Sequence, residues 1–455
     1  MDRSIVLMRN LLTGVILIAL FGVMLIMPEV SRSVPSFARQ TELACSNCHT
    51  VFPELNSFGR LFKLNGYTLS SDQAIESKGS GDKDNLKLPK IPPFSAALQA
   101  SYSNLSKPFQ GTQNGNVGFP QEFSFFFAGE ISPHIGGFLQ VTWDDQSTAF
   151  DFDRIDIRYA NQGTLAKRDI IYGLTLNNGP TIQDVWNSTP AWSFPYASSG
   201  VAPTPGASPL ISGGLEGLEQ RFAGLGAYAL YNNLVYAEFS LYRSTAQGEV
   251  PHPPDSTSTN VTNGVAPYWR LALQHQWPEE YLSGGTFGFS GKFYPTGISG
   301  STNTFTDIGA DAQSTTRFGS GMLTAHAMWV HEKQNLDAAF AAGATQNPSN
   351  NLNLFKIDAN YYFDQRYGIA AAFFTTSGDS DTLLYTPGLN TGYSGGKPNS
   401  SGEIIELDYL PWLNTKLALQ YVIYSKFNGA SNNYDGFGRN ASDNNTLYVL
   451  AWLAM

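Results

Sequence analysis

The only two cysteines of the 455-residue chain lie in the run Cys45-Ser46-Asn47-Cys48-His49. Cys-x-x-Cys-His is a haem-attachment pattern: two thioethers fix the porphyrin covalently, and the adjacent histidine supplies the proximal iron ligand. Half of a zinc site is the competing chemistry. Zinc needs two further nitrogen or sulfur ligands at regular spacing, and the sequence holds no second Cys-x-x-Cys and no His-x-x-x-His. A redox disulfide gives no reason for a histidine directly after the second cysteine. The residues therefore point to one covalent haem c on Cys45, Cys48 and His49, with His49 as the metal ligand.

A covalent haem of this kind is attached outside the cytoplasm, and the start of the chain agrees. Arg3 and Arg9 form a basic n-region, Leu11 to Met27 an apolar run, and Ser31-Arg32-Ser33 a cleavage-site pattern, so residues 1–33 read as a signal peptide. Removing them takes away three arginines and two acids and leaves 24 basic against 35 acidic residues, a net charge of −11. That charge excludes nucleic acid as a partner. Charged residues make up 14% of the chain, well below the roughly 25% usual for a soluble domain. Beyond residue 33 no continuous apolar span occurs, so membrane residence has to take the form of a β-barrel.

The elements that must position the motif fall into two parts. Residues 34–92 form a short haem segment. Pro53 to Asn65 reads as one helix, with Pro53 in its first turn, Gly66 past its end, and Leu55, Phe58 and Phe62 on one face. Residues 71–92 are polar and close on Pro89, Pro92 and Pro93, the composition of a linker. One helix and a linker cannot enclose a haem, so further walls must come from elsewhere in the chain.

Residues 93–455 alternate with period two in segments of about 10 residues, the pattern of an all-β, about 16-stranded transmembrane barrel. In Arg154-Ile155-Asp156-Ile157-Arg158-Tyr159 the charged and apolar residues take opposite faces, and Leu354 to Tyr361 and Leu234 to Leu241 behave likewise. In Thr286 to Phe293, Phe287, Phe289 and Phe293 oppose Ser290 and Lys292. Strands are expected at 94–104, 121–131, 136–144, 152–161, 169–177, 218–230, 233–243, 266–276, 284–294, 303–313, 322–332, 353–363, 366–376, 401–410, 414–425 and 445–455. Tight turns at Ser132–Gly136, Tyr231–Asn233, Phe363–Arg366 and Leu410–Asn414 alternate with long connections at Asn178–Gly217, Ser244–Val265, Lys333–Asn351 and Ser377–Ser400. Tight turns in the periplasm put both termini there and the haem segment at that mouth. A barrel of this girth leaves an aqueous lumen able to admit the segment as a plug. Asp156, Asp358, Glu238 and Glu406 read as a solvated wall with Arg154, Arg158 and Lys356.

The sixth iron ligand is not readable near the motif. Past the signal only Met322, Met328 and Met455 remain. His326 and Met328 share the even-numbered face of one strand and His134 sits in a turn at the expected haem mouth, so these three are the candidates. His252, His275 and His331 read as loop or rim residues.

The segment resembles the fused cytochrome–porins of the bacterial outer membrane, including the outer-membrane c-type cytochromes of iron-oxidising bacteria. The likeness is carried by Pro35-Ser36-Phe37-Ala38-Arg39-Gln40-Thr41, Cys45–His49, Phe52-Pro53-Glu54-Leu55-Asn56-Ser57-Phe58-Gly59-Arg60, Phe62-Lys63 and Gly66-Tyr67-Thr68. Over the barrel it is architectural. It implies an outer-membrane location among lipid, and electron passage between an extracellular donor such as Fe(II) and a periplasmic c-type cytochrome or other carrier. Asn177 to Asn187 looks like a structured outer loop without an assignable role. A haem-plugged transport porin is the alternative. A haem peroxidase-type enzyme is a further one, for which no acid/base pair lies near the motif in sequence.

Overall fold

The computed structural model describes residues 35–70, 74–77, 86–89, 92–213, 222–245 and 254–455. The signal-peptide reading, the Lys/Asp-rich centre of the linker and His252 lie outside them.

Sixteen strands close on themselves. In chain order they are β1 (Phe94–Leu105), β2 (Asn116–Ser132), β3 (Ile135–Asp144), β4 (Phe150–Leu165), β5 (Arg168–Asn177), β6 (Phe222–Tyr231), β7 (Val235–Ser244) and β8 (Ala266–Gln276). There follow β9 (Glu280–Thr296), β10 (Asn303–Phe318), β11 (Gly321–Asn335), β12 (Ser349–Phe363), β13 (Tyr367–Gly378), β14 (Ser400–Trp412), β15 (Thr415–Lys426) and β16 (Thr446–Ala454). Each pairs antiparallel with its sequence neighbour, and β16 closes the ring on β1 with Leu450 opposite Ser101. A short strand, Thr259–Thr262, continues β8 past a bulge along the same partner β9. Closure leaves no strand edge for lipid to meet.

The tight turns all fall at one mouth. Ala166-Lys167, Asn232-Asn233 and Asp364-Gln365 each place two consecutive residues at positive φ, which gives hairpin turns a twist matching that of the strands. The start of β1 and the end of β16 lie at this same mouth, and the long connections lie at the other.

Period two sorts side chains between lipid and lumen. On β7, Phe239 is 53% exposed while Tyr236, Glu238, Ser240 and Tyr242 are buried. On β8, Leu271 and Leu273 are 53% and 59% exposed, against 1% for Arg270. β9 reverses the expected sense: Phe287, Phe289 and Phe293 point inward and are buried. They form an apolar core within the lumen with Leu210 and Ile211 of the β5–β6 connection. Alternation thus identifies two faces, and only the material filling the barrel decides which is inside.

Two bodies fill it. The N-terminal segment contributes helix α1 (Pro35–Thr41), a hairpin of His49–Val51 with Glu54–Leu55, and helix α2 (Ser57–Leu64). The expected helix from Pro53 is therefore shorter. Asn56 starts it by accepting the Gly59 N–H at 3.0 Å, while the Asn56 N–H is given to Cys48 O at 2.9 Å. The expected face also turns: Phe58 is exposed, whereas Arg60, Phe62, Lys63 and Leu64 are buried. Gly66 ends the helix at φ 69°, with Tyr67 N–H bonded to Phe62 O at 3.1 Å. The second filler is the β5–β6 connection. Residues 177–187, expected as an outer loop, run inside the barrel, and Thr181, Ile182 and Gln183 are fully buried.

Leu271→Arg places a charge on the lipid face near mid-strand and should destabilise the barrel by about 2–4 kcal/mol, whereas Phe318→Arg at the tight-turn rim should cost no more than about 1 kcal/mol. The urea midpoint for folding into phospholipid vesicles measures both.

Candidate functional site

The motif opens onto a cavity of about 330 Å³ inside the barrel, within the roughly 300–1,000 Å³ range of small-molecule sites. Cys45, Cys48 and His49 all line it. A short 3₁₀ turn, Cys45–Asn47, turns both cysteines to one side. The fold behind them is tight: a Cβ on Gly59 would stand 2.1 Å from Cys48 O, so only glycine lets α2 pack against the motif. The two cysteines are thiols rather than a disulfide. Burial, then the neighbouring Cys45, pushes the Cys48 thiol up to about 11.

The His49 ring is held in place: its Nδ1 lies 3.2 Å from Pro53 O, the kind of backbone partner that orients an imidazole. Burial pushes its pKa down to about 4 despite backbone hydrogen bonds at Pro53 and Glu54, so the ring is neutral at physiological pH. Thiols on one side of a cavity and an oriented neutral imidazole beside them fit haem c. Among the described residues no group of three His, Cys, Asp or Glu side chains converges on a metal-sized site.

The remaining walls come from distant sequence. Gln99, Glu122, Phe126, Gln140, Asp153 and Arg154 arrive from β1 to β4, and Trp186, Asn187, Trp192 and Tyr196 from the inward β5–β6 connection. The latter carried no readable signal beyond a long, Pro/Trp-rich stretch without alternation. Acidic groups beside Arg154 also revise the absence of acid/base residues near the motif: the fold supplies them from β2 and β4.

The expected sixth ligands are not on this cavity. His326 does face the lumen, but its Nδ1 lies 2.7 Å from Asp358 Oδ2 and its Nε2 3.9 Å from Glu54 Oε2. Met328 is buried in the aromatic cluster with Phe287 and Tyr268. His134 holds Ala160 O at 3.2 Å in its turn. His275 meets Trp277 edge-to-face near the rim, and His331 lies within β11, bonded to Asn353 at 2.9 Å.

The expected solvated wall is buried at Asp156, Asp358, Glu238, Glu406 and Arg158, with Arg154 and Lys356 half-buried. Asp156 and Arg158 are fully buried and paired at 2.9 Å. Tyr67 OH donates to Asp156 Oδ2 at 2.7 Å, Thr175 OH to its Oδ1 at 3.1 Å, and Lys63 Nζ stands 3.8 Å away. Lys63 also donates to Ile182 O at 2.7 Å. Burial, outweighing Asp156, pushes its pKa down to about 7. Elsewhere Glu54 accepts from Asn360 at 2.7 Å and Tyr196 at 3.3 Å, and Asn187 Oδ1 accepts the Leu55 N–H at 2.9 Å. Tyr228 OH reaches Leu64 O at 2.7 Å. Gly136 lets the segment touch the wall, since a Cβ there would meet Gly66 O at 2.1 Å.

No protein-family model matches the chain and no curated protein matches it. Many solved structures share its fold coarsely. The outer membrane channel DcaP of Acinetobacter baumannii aligns at 10% identity and TM-score 0.44, over 80% of this chain and 96% of that one. An anion-selective porin from Comamonas acidovorans aligns at 13% identity and TM-score 0.44, over 80% and 98%. Outer-membrane OmpT of Vibrio cholerae, folded in vitro, gives 10% and 0.42, over 80% and 96%. The closed ring of hydrogen-bonded strands itself establishes the porin-type barrel.

Two outcomes follow. Cys45→Ala or Cys48→Ala should abolish haem that survives denaturing electrophoresis while leaving a heat-modifiable barrel; covalent haem persisting in the double variant overturns the assignment. Asp156→Ala strands Arg158 and Lys63 as buried charges and should cost about 3–5 kcal/mol, read as a lower urea midpoint and as new protease cleavage within residues 35–69.

Proposed function

We propose that this chain is an outer-membrane mono-haem cytochrome–barrel fusion that passes electrons between an extracellular donor and a periplasmic carrier. One observation carries the reading: Cys45, Cys48 and His49 face a cavity inside the ring of strands. A redox group in solution is cut off from the far side of a bilayer by its hydrocarbon. Held within the barrel, it has a short route to both faces. The apolar outer surface and the pattern of tight turns support an outer-membrane location with both chain ends toward the periplasm.

Each part of the site has a task. Cys45 and Cys48 would hold a haem by two thioethers and His49 would supply a nitrogen ligand to its iron, with Pro53 O keeping that ring oriented. Haem c supplies reversible one-electron chemistry at its iron. Trp186, Trp192, Phe126 and Phe138 keep water from the cavity, and Arg154 and Lys63 offer positive charge to carboxylates within it. The net charge of −11 after removal of residues 1–33 suits a cationic donor such as Fe(II) and a basic periplasmic cytochrome.

The transport reading has its own support, since sixteen strands are wide enough for an aqueous channel and the plug is held there by non-covalent contacts. Against it stands the dry interior at Asp156, Arg158 and Gln183. A peroxide-using enzyme draws support from Glu122 and Asp153 on the cavity wall.

Liposomes loaded with an oxidised acceptor, treated outside with Fe(II), distinguish these. An electron conduit should reduce the trapped acceptor only when Cys45 and Cys48 are intact, and planar bilayers containing it should remain electrically tight. Steady ion conductance with no acceptor reduction would establish the transport barrel. Rapid peroxide turnover without acceptor reduction would favour the enzyme.

A further inference from the structure

The electron-conduit reading leaves a gap between the cavity and the long-loop mouth. Parts of the inner wall carry hydrogen-bonded charge and amide. Between the cavity and the β15–β16 connection, however, two apolar clusters follow one another. Phe194 of the inward connection packs with Ala370, Ala372 and Ile404, and Tyr196 and Phe374 lie against that cluster. The next contains Tyr424, Phe427 and Tyr434, again with Phe374 against it.

The rings themselves are closely spaced. Tyr196 lines the cavity and stands 5.7 Å, centroid to centroid, from Phe194. Phe374 and Tyr424 are 5.9 Å apart, Tyr424 and Phe427 5.0 Å, and Phe427 and Tyr434 4.7 Å. Phe427 and Tyr434 are fully buried, yet Phe437, three residues on, is 65% exposed in the outer connection. Tyr434 OH is fixed by donation to Asn390 O at 2.5 Å and by the Asn444 amide at 2.9 Å. Edge-to-face pairs at such distances are favourable packing in their own right. Here they lie in two groups that meet where Phe374 packs against the Phe194 cluster.

We infer that Tyr196, Phe194, Phe374, Tyr424, Phe427 and Tyr434 form an aromatic relay that carries electrons between the outer loops and the cavity. The inference rests on the electron-conduit reading and adds its route. The step is one electron leaving an external one-electron donor, which is oxidised, and arriving at the redox group in the cavity, which is reduced. It would pass by tunnelling through closely packed, mostly edge-to-face rings; no bond forms or breaks and no proton moves, so the rings matter and the phenol hydroxyls do not.

The test uses the full haem-loaded protein in outer-membrane vesicles of native orientation. A viologen reductant tethered to dextran, too large to cross any pore, is added outside. Single-turnover reduction is followed in the haem absorption bands, with the midpoint potential recorded for every variant. Phe427→Leu and Phe374→Leu should slow outside reduction at least about tenfold, one decade in rate constant. Tyr424→Phe and the control Phe305→Leu should leave it unchanged. Spectrum, potential and the rate in detergent, where the tight-turn mouth is open to reductant, should stay constant throughout. Unchanged outside rates in both leucine variants overturn the relay and leave the conduit standing. So does a Tyr424→Phe variant as slow as Phe427→Leu, or an equal loss of rate in detergent. A wild-type protein that is never reduced from outside overturns the conduit and the relay together.

Discussion

The carboxylate of Asp156 is the point on which the interior depends. It sits on the wall strand β4, fully buried, and receives Arg158 from the same strand, Tyr67 from the N-terminal segment and Thr175 from β5. Arg158 then reaches the Gln183 carbonyl, and Lys63 spans from Asp156 to Ile182 O. Wall, plug and inward connection thus share one charge network. Ions taken out of water are tolerated only when each finds partners in good geometry. Removing the plug would take Tyr67 and Lys63 from Asp156, and removing the inward connection would leave Lys63 and Arg158 without the Ile182 and Gln183 carbonyls. That mutual dependence holds the segment within the barrel, where a small helix and hairpin with little core of their own could not otherwise be fixed.

The barrel was legible in the sequence because its wall obeys a local rule. Side chains alternate along a strand whatever the strand packs on, so Arg154 to Tyr159 declares two faces from six residues. Tight turns are equally local, and Asn232-Asn233 announces one by its tolerance for positive φ. The direction of each face was harder. Phe287, Phe289 and Phe293 read as a lipid surface and are instead buried under Leu210 and Ile211. Nothing within β9 encodes that, because the covering residues arrive from a connection some eighty positions earlier.

The cavity divides along the same line. Cys45, Cys48 and His49 were visible because their residue types and spacing are local in the sequence. Its remaining walls obey no spacing at all. Trp186, Trp192 and Tyr196 look like an ordinary surface loop until residues 177–187 are seen to fold inward. The candidate ligands His326 and Met328 were correctly placed on the lumen side, yet facing the lumen did not bring them to the cavity. His326 is held by Asp358 and approached by Glu54, and Met328 by a bed of aromatic rings. In a wide barrel the inner face is one surface with several neighbourhoods.

A lumen filled in this way is narrowed where the plug and the inward connection meet. A channel is served by water along its length and by side chains free to rehydrate a passing ion. Here Asp156, Arg158, Thr181 and Gln183 have no access to solvent, and the inward connection and plug interlock through Lys63 and Asn187. Among the described residues a cavity remains beside the Cys45–His49 motif, flanked by the chain's own N-terminal segment on one side and by packed rings on another. Electrons need no water-filled path, and they cross dense, ordered matter more readily than a void. On the proposed reading, the packing that narrows the lumen for solutes would serve a route for electrons.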